Sequence, residues 1–183
     1  MIRFLDIIFS FLGLALLTPI FILISAIILF SSGAPLFFQE RIGRFEKPFS
    51  LIKFRTMRPE TLSLPTHMVD PEMITSLGSF LRKTKLDEIP QLWNVLKGDM
   101  SLVGPRPGLA EHEELSQVRR QKGVFCVRPG ITGLAQINKV DMSNPVLLAE
   151  VDAEMISKLN LGTYFQMIFL TLLGKGLGDR VRR

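Results

Sequence analysis

The hydrophobic pattern of the chain opens with one long apolar run. Between Ile7 and Phe30, 19 of 24 residues are apolar and none is charged, which matches the ~20 apolar residues that a helix needs to cross a bilayer. The run is longer than the roughly 7–15 residues of a signal-peptide core, and no small-residue cleavage site follows it. We therefore predict a membrane segment over residues 1–32 and a second domain over residues 33–183.

A Thr18-Pro19 pair lies near the centre of this run. Proline lacks the N–H that bonds to the preceding helical turn and its ring clashes there, so we expect a kink. Each half is roughly 17 Å long, so the first half can reach mid-bilayer and the second half can return to the same side. A kinked spanning helix fits the same pattern. Positive charge on both flanks, with Arg3 before and Arg41 and Arg44 after, favours both ends in the cytoplasm. These observations leave the re-entrant and the spanning helix open.

Shorter elements follow the apolar run. Leu36–Gln39 and Phe49–Arg55 are short strand candidates around a turn at Gly43–Pro48, which predicts a small antiparallel hairpin. Three prolines within residues 58–75 predict a surface loop. Helical spacing and end signals predict helices near residues 74–82, 87–96, 111–122 (with a mostly solvated face), 145–160 and 163–174. The expected fold class is α+β, mostly helical, with one short hairpin.

The last of these helices is apolar almost all round. Thr163–Gly174 contains eight large apolar residues but, at about 11 residues, is too short to cross a bilayer. Lys175 and the basic end of the chain favour a helix lying in the membrane interface. A buried core helix remains the alternative.

The charge balance narrows the partners. The chain has 22 Lys+Arg against 17 Asp+Glu, a net charge of +5, and basic residues cluster beside the apolar run, which favours anionic lipid headgroups. With one Trp, one Tyr and no recognisable nucleic-acid motif, we expect no nucleic-acid partner. One cysteine and two histidines exclude a disulfide scaffold and a structural zinc site.

The residues that most suggest chemistry are Asp87 and Glu88. Because Pro90 suits a first helical turn, the pair is expected at a helix N-terminus, where acidic residues also serve simply as caps. Two arginines lie on stiff turns suited to holding phosphate, Arg106 in Gly-Pro-Arg-Pro and Arg128 in Arg-Pro-Gly. Two carboxylates among fixed arginines predict a site for Mg²⁺ and a diphosphate.

In their order along the chain, these motifs resemble those of the small monotopic phosphoglycosyl transferases, a family of bacterial sugar transferases. The resemblance extends from Arg3 to about Gln136 and implies a helix–break–helix hairpin in the cytoplasmic leaflet of the bacterial inner membrane, with the catalytic domain facing the cytoplasm. It therefore favours the re-entrant alternative. The matching segments are the central Thr18-Pro19, Gln39–Gly43, Lys53–Met57, Leu86–Gly98, Asp99–Pro107 and Arg128–Gln136.

The resemblance also implies a reaction: transfer of a sugar-1-phosphate from a UDP-sugar to a polyprenyl phosphate, with release of UMP. Asp87 matches the family's nucleophile, which forms a covalent phosphosugar-aspartyl intermediate in a ping-pong scheme. Glu88 matches the residue that helps hold Mg²⁺ beside it. Membrane lipid and a second copy of the chain are further candidate partners. Four cations are expected to contact phosphate oxygens: Lys53, Arg55, Arg106 and Arg128.

The C-terminal quarter departs from the family pattern. Tyr164 and Gln166 stand where many members carry an acidic and a basic residue, and Lys139–Met142 matches no motif, so the sugar is left open. A membrane-tethered binding module is the alternative function, with the acidic pair only capping a helix; Mg²⁺-dependent UMP release would separate the two. The single apolar run argues against a polytopic transferase, and the lack of a histidine-based signature argues against a lipid phosphatase.

Overall fold

A computed structural model describes residues 1–58 and 71–176. Most of the predicted surface loop over residues 58–75 lies outside the described residues, as do the three arginines at the end of the chain. The predicted α+β class is confirmed, because helices predominate around short strands. The helices are α1 (Ile2–Ser32), α2 (Ser76–Thr84), α3 (Gln91–Lys97), α4 (Glu113–Gln121), α5 (Leu134–Ile137), α6 (Pro145–Ser157) and α7 (Leu161–Leu172), and the strands are β1 (Leu36–Ile42), β2 (Pro48–Phe54), β3 (Ser101–Val103) and β4 (Gly130–Thr132).

Helix α1 continues without interruption through Pro19. The Thr18 hydroxyl donates to the Leu14 carbonyl at 2.7 Å, one turn before the proline. Within residues 1–58 and 71–176, α1 is the one helix long and apolar enough to cross a membrane, and only 11% of its most apolar stretch is buried. The structure therefore supports a membrane helix but shows no break at Thr18-Pro19, and the re-entrant hairpin stays a prediction.

Both ends of α1 pack against the rest of the chain. Near its N-terminus, Asp6 and Ser10 are fully buried, and near its C-terminus Ile24 and Ile28 are buried in a cluster with Phe54. In between, a side chain at Gly13 would contact Leu92 of α3 at 3.2 Å. The helix is thus held along the domain that follows, so the division at residue 32 also stays a prediction.

Strands β1 and β2 form the predicted antiparallel hairpin, with Gln39 opposite Leu51. The first strand is longer than the pattern indicated, and a 3-10 turn over Arg44–Glu46 connects the two strands. Phe45 adopts a positive φ of 57° within this turn. Lys53, one of the predicted phosphate-binding residues, lies on β2 of this hairpin.

A second pairing was not predicted from the sequence. Strands β3 and β4 are parallel, with Ser101 opposite Gly130 and Val103 opposite Thr132. A side chain at Gly130 would collide with the backbone of Gly104, so glycine is required for this close approach. The pairing brings together the two turns that carry Arg106 and Arg128.

The predicted helix over residues 87–96 is divided in the structure. Leu86–Glu88 forms a separate 3-10 turn, and the α-helix begins only after Pro90. Glu88, Ile89 and Trp93 all bond three residues back. Pro90 has no N–H with which to bond the Leu86 carbonyl, so the chain tightens to 3-10 geometry there. The prediction that Asp87 begins this α-helix is therefore wrong by one turn.

The later helices follow the sequence pattern more closely. The Asn144 side chain accepts from the Leu147 N–H at 3.1 Å, which confirms the predicted start of α6. Helix α4 is less solvated than predicted, because Leu115 and Arg119 are buried against α6. The short helix α5 was not predicted.

Helix α7 has two apolar faces with different environments. Tyr164 and Met167 are buried, whereas Phe165, Phe169 and Leu172 are 45%, 60% and 80% exposed. The buried face agrees with the core alternative, and a place in the membrane interface for the exposed face stays a prediction. Phe165 contacts Phe9 of α1 edge to face, with ring centroids 6.1 Å apart. The exposed apolar face of α7 is therefore continuous with the membrane helix.

Candidate active site

The acidic pair lies in the 3-10 turn between α2 and α3. Lys85 at the end of α2 adopts a left-handed conformation and redirects the chain into this turn. Asp87 is only 7% exposed. The Glu88 carboxylate accepts from Lys53 Nζ at 3.4 Å, with both side chains less than a fifth exposed. The structure therefore brings three of the predicted site residues together: Asp87, Glu88 and Lys53.

Arg55 lies just beyond the end of β2. Its Nε donates to the Ala34 carbonyl at 2.9 Å, and its N–H donates to the Pro35 carbonyl at 2.9 Å. These contacts tie the strand to the segment that follows α1. Its predicted role in binding phosphate stays a prediction.

The turn that carries Arg106 is held from two sides. The Gly104 N–H donates to the Thr132 carbonyl, and the Gly130 N–H donates to the Pro105 carbonyl, each at 2.8 Å. On the other side, Nη1 of the buried Arg41 donates to the Pro107 carbonyl at 3.1 Å. These bonds hold the backbone on both sides of Arg106 in place, and the predicted role of Arg106 in binding phosphate stays a prediction. Arg106 lines a small open cleft together with Ile42, Arg119 and Pro129.

Arg128 lies beside the C-terminal end of α3. Its Nε donates to the Gly98 carbonyl at 2.8 Å, at the C-terminal end of α3. Arg3 donates to the Val95 and Leu96 carbonyls at the same end, at 2.6 and 3.0 Å. The acidic pair precedes the opposite end of this helix, about 10 Å away at 1.5 Å per residue. Arg128 thus helps to neutralise the negative end of the α3 dipole.

Electrostatics around Arg128 nevertheless favour an anion. Burial, together with the neighbouring charges of Arg3 and Arg44, lowers the pKa of the Arg128 guanidinium below its usual range. An arginine stays protonated in proteins, so this lowered pKa means that a negative group beside it would be stabilised. The predicted role of Arg128 in binding phosphate stays a prediction.

A buried network at Asp6 was missed by the sequence reasoning. Its Oδ1 accepts from Ser101 Oγ at 3.0 Å, from the Leu102 N–H at 3.0 Å and from Tyr164 Oη at 2.9 Å. The pKa of the Tyr164 hydroxyl is raised well above its usual range. Burial is the larger cause, and the neighbouring Asp6 carboxylate is the second. The available signal was one acidic residue at the start of an apolar run.

Replacing Asp6 by leucine should destabilise the domain. The substitution removes the acceptor of three donors, of which the Ser101 and Tyr164 hydroxyls are buried. Buried donors without a partner cost about 1–3 kcal/mol each, so we expect a loss of at least about 2 kcal/mol in the free energy of unfolding. Thermal unfolding of the detergent-solubilised chain measures it. Ser10→Ala is the matched control, because the Ser10 hydroxyl, one turn away, is buried with no hydrogen-bond partner among the described residues. Equal unfolding temperatures for the two variants would contradict this role of Asp6.

A buried ion pair supports the wall of the Arg106 cleft. Arg119 Nε and Nη2 donate to Asp152 Oδ2 at 3.1 and 2.6 Å, and both side chains are almost fully buried. Burial raises the pKa of the Asp152 carboxyl, while Arg119 opposes this rise. Arg119 also lines the cleft beside Arg106, so the pair fixes one side of this cavity.

The acidic pair consists of carboxylates, which are ligands that Mg²⁺ takes in proteins. Within the described ranges, no three His, Cys, Asp or Glu side chains lie close enough to form a metal cage. Mg²⁺ commonly takes one or two protein carboxylates, several waters and substrate phosphates, and so needs no such cage. The donor chemistry of Asp87 and Glu88 is compatible with such an ion, and the Mg²⁺ site at these two residues stays a prediction.

Comparison with known proteins places the chain in a family. The bacterial sugar transferase family matches residues 1–175. An uncharacterized sugar transferase of Bacillus subtilis, EpsL, is 48% identical over 117 residues, which cover 62% of this chain and 56% of that protein. The UDP-glucose:undecaprenyl-phosphate glucose-1-phosphate transferase of Escherichia coli is 38% identical over 91% of this chain and 38% of its own length. The exopolysaccharide production protein ExoY of Sinorhizobium fredii is 32% identical over 93% of this chain and 83% of its own length.

The chain therefore belongs to the bacterial sugar transferase family. It spans about half, or less, of the length of most of the curated relatives it matches, for example 56%, 41% and 40%. The family assignment agrees with the resemblance drawn from the ordered motifs.

Proposed function

We propose that the chain transfers a sugar-1-phosphate from a UDP-sugar to a polyprenyl phosphate and releases UMP. The observation that carries the proposal is the buried Asp87, adjacent to a Glu88 carboxylate held by Lys53 at 3.4 Å. Relatives in Escherichia coli, Caulobacter vibrioides and Xanthomonas campestris are named for transfer of glucose-1-phosphate from UDP-glucose to undecaprenyl phosphate. The family membership supports the same class of reaction here.

The proposed reaction has two displacements at one phosphorus atom. In the first, an Asp87 carboxylate oxygen bonds to the β-phosphorus of the UDP-sugar, the bond to the bridging oxygen breaks, and UMP leaves. In the second, a phosphate oxygen of the polyprenyl phosphate bonds to that phosphorus, and the aspartyl–phosphorus bond breaks. Using a carboxylate as nucleophile divides one difficult transfer into two easier ones.

The surrounding residues have separate roles in this scheme. Asp87 and Glu88 would hold Mg²⁺, which when bound neutralises the charge of the diphosphate. Lys53 orients the Glu88 carboxylate and supplies positive charge beside the phosphates, and Arg55, Arg106 and Arg128 are the further proposed phosphate contacts. The low exposure of Asp87 limits the access of water. The phosphosugar-aspartyl intermediate, which is an acyl phosphate, is thereby protected from hydrolysis.

A panel of UDP-sugars tests the proposal. Relatives are named for glucose, galactosyl and N-acetylgalactosaminyl transfer, so these three donors form the core of the panel. With undecaprenyl phosphate and Mg²⁺ present, we expect UMP release from at least one donor, and chelation of the metal should abolish it. A membrane-tethered binding module would release no UMP from any donor.

We also propose that α1 is re-entrant in the cytoplasmic leaflet of the bacterial inner membrane. Its N-terminal end is bonded to α3 through Arg3, and its C-terminal end packs on Phe54 through Ile24 and Ile28. A helix crossing the ~30 Å apolar core of a bilayer would carry its ends to opposite sides. Attachment of both ends to one domain therefore supports a common side of the membrane for the two ends. The positively charged flanks favour the cytoplasmic side.

Cysteine labelling tests this topology. With Ile2→Cys in a Cys126→Ser background, a membrane-impermeant thiol reagent applied to intact cells should not label the protein. Pro19→Ala with Thr18→Ala removes a helix-interior cost of ~3 kcal/mol and favours a straight helix, so a labelled fraction should then appear. Lys158→Cys, on an exposed side chain, is the control that should label only after lysis. External labelling at position 2 with Pro19 intact would contradict the re-entrant assignment.

A further inference from the structure

Asn94 connects the two elements that carry Lys53 and Glu88. It lies on α3, six residues after Glu88, and its side chain is completely buried. The Ile52 N–H donates to Asn94 Oδ1 at 3.0 Å, and Asn94 Nδ2 donates to the Ser50 carbonyl at 2.8 Å. One amide thus satisfies two backbone groups of β2, immediately before Lys53.

The geometry of these bonds is that of a strand. Strand β1 pairs with one edge of β2. The Ser50 carbonyl and the Ile52 N–H both point to the opposite edge, because alternate residues of a strand direct their backbone groups to the same edge. In a parallel ladder, one residue donates to the carbonyl of residue i−1 and accepts from the N–H of residue i+1. The Asn94 amide makes both bonds around Leu51. Only a side chain that both donates and accepts can do so.

The amide is itself held in orientation. Asn94 Nδ2 also donates to Asp99 Oδ2 at 3.2 Å. The backbone carbonyl of Asn94 accepts from the N–H groups of Gly98 and Asp99, at 3.1 and 3.0 Å, where α3 ends. These contacts fix Asn94 from its own side, and its bonds to β2 then fix the strand.

We propose that Asn94 is a positioning residue that sets the contact between Lys53 and Glu88, an inference that rests on the proposed function. The residues form a closed ring: Glu88 continues into α3 and Asn94, Asn94 bonds to Ile52, and Lys53 returns to Glu88 at 3.4 Å. Breaking the ring at Asn94 frees β2 to shift relative to the acidic pair. A shift of about 1 Å in such a site can reduce the rate ~100-fold.

Asn94→Asp is the most selective variant. A carboxylate of the same shape still accepts from the Ile52 N–H, but it cannot donate to the Ser50 carbonyl and places like charge beside Asp99. We expect kcat/KM for UMP release by the folded full-length enzyme to fall about 10- to 100-fold. The matched control is Asn144→Ala, which removes an amide that only caps α6 and should leave kcat/KM unchanged once the folded fraction is normalised.

A double-mutant cycle with Lys53→Met separates positioning from general stability. If Asn94 acts through Lys53, Asn94→Asp should reduce kcat/KM for UMP release by less than about threefold when Lys53 is already replaced by Met. Equal losses in both backgrounds would overturn the proposal. Should Asn94→Asp fail to fold, Asp99→Ala takes its place, because it removes the bond that orients the amide together with the half-exposed ion pair between Asp99 and Lys97. The same comparison of the two backgrounds then decides. Activity of Asp87→Asn in the same assay would instead overturn the proposed function.

Discussion

Replacing Asp87 by asparagine is expected to abolish turnover while the fold survives. Asparagine has nearly the shape of aspartate but cannot act as the anionic nucleophile, and loss of a nucleophile commonly reduces kcat by about 10⁴-fold or more. The Asp87 side chain is buried in a 3-10 turn rather than at an α-helix N-cap, so little capping stability is at stake. UMP release from UDP-sugar, together with circular dichroism of the purified variant, measures both outcomes.

Glu113→Gln supplies the matched control for Asp87→Asn. Glu113 is an exposed acidic residue in the first turn of α4, where its expected role is to complement the helix dipole, worth about 0.3–1 kcal/mol. If the Asp87-Glu88 pair served only this purpose, the two variants would behave alike. Retention of more than a small fraction of activity by Asp87→Asn would show that the covalent scheme is wrong.

Removing Arg119 is expected to cause the largest loss of stability. Arg119→Met leaves the Asp152 carboxylate buried without its cation, and breaking a buried pair in this way costs about 3–5 kcal/mol. The double variant Arg119→Met with Asp152→Leu should recover most of that loss, since well-packed apolar residues often replace a buried pair at little cost. Denaturant unfolding of all three variants measures the changes, and a double variant no more stable than Arg119→Met would contradict this account.

The same pair predicts a pH dependence. Burial raises the pKa of Asp152 in the folded chain, so the folded state binds this proton more tightly than the unfolded state does. The protonated Asp152 therefore stabilises the folded chain. This contribution is fully present at pH values below about 3.9, the pKa of an aspartate in the unfolded chain, and it is lost as the pH rises through the pKa of Asp152 in the folded chain. Without Arg119 the pKa of Asp152 should rise further. The deficit of Arg119→Met should therefore be larger at pH 8 than at pH 5, and a deficit independent of pH would contradict this assignment.

The elements that were predicted correctly depend on local signals. The hairpin follows from two short strands around Gly43–Pro48, and α6 begins at Asn144 because an Asn-Pro pair supplies both cap and first turn. Asp87, Glu88 and Lys53 were each identified from their motifs, and the structure places them together. The covalent role of Asp87 stays a prediction.

What the sequence could not provide depends on contacts between distant residues. Asp6 is 158 residues from Tyr164, and Asn94 is 42 residues from Ile52. The parallel pairing of β3 with β4 rests on three-residue strands, which are too short to show a hydrophobic period. In the case of Arg128, its Pro-Gly turn indicated a rigid arginine, but it gave no indication that the side chain would bond to the end of α3 farther from the acidic pair.

The most direct test of the central claim is to trap the intermediate on the enzyme. The chain is incubated with UDP-sugar and Mg²⁺ without a lipid acceptor and then cleaved with trypsin, and the peptide between Lys85 and Lys97 is examined by fragment mass spectrometry. We predict that this peptide gains the mass of the sugar phosphate on Asp87, and that added polyprenyl phosphate removes it. An enzyme that releases UMP only when the acceptor is present, with no adduct or with the adduct on Glu88, would contradict the mechanism.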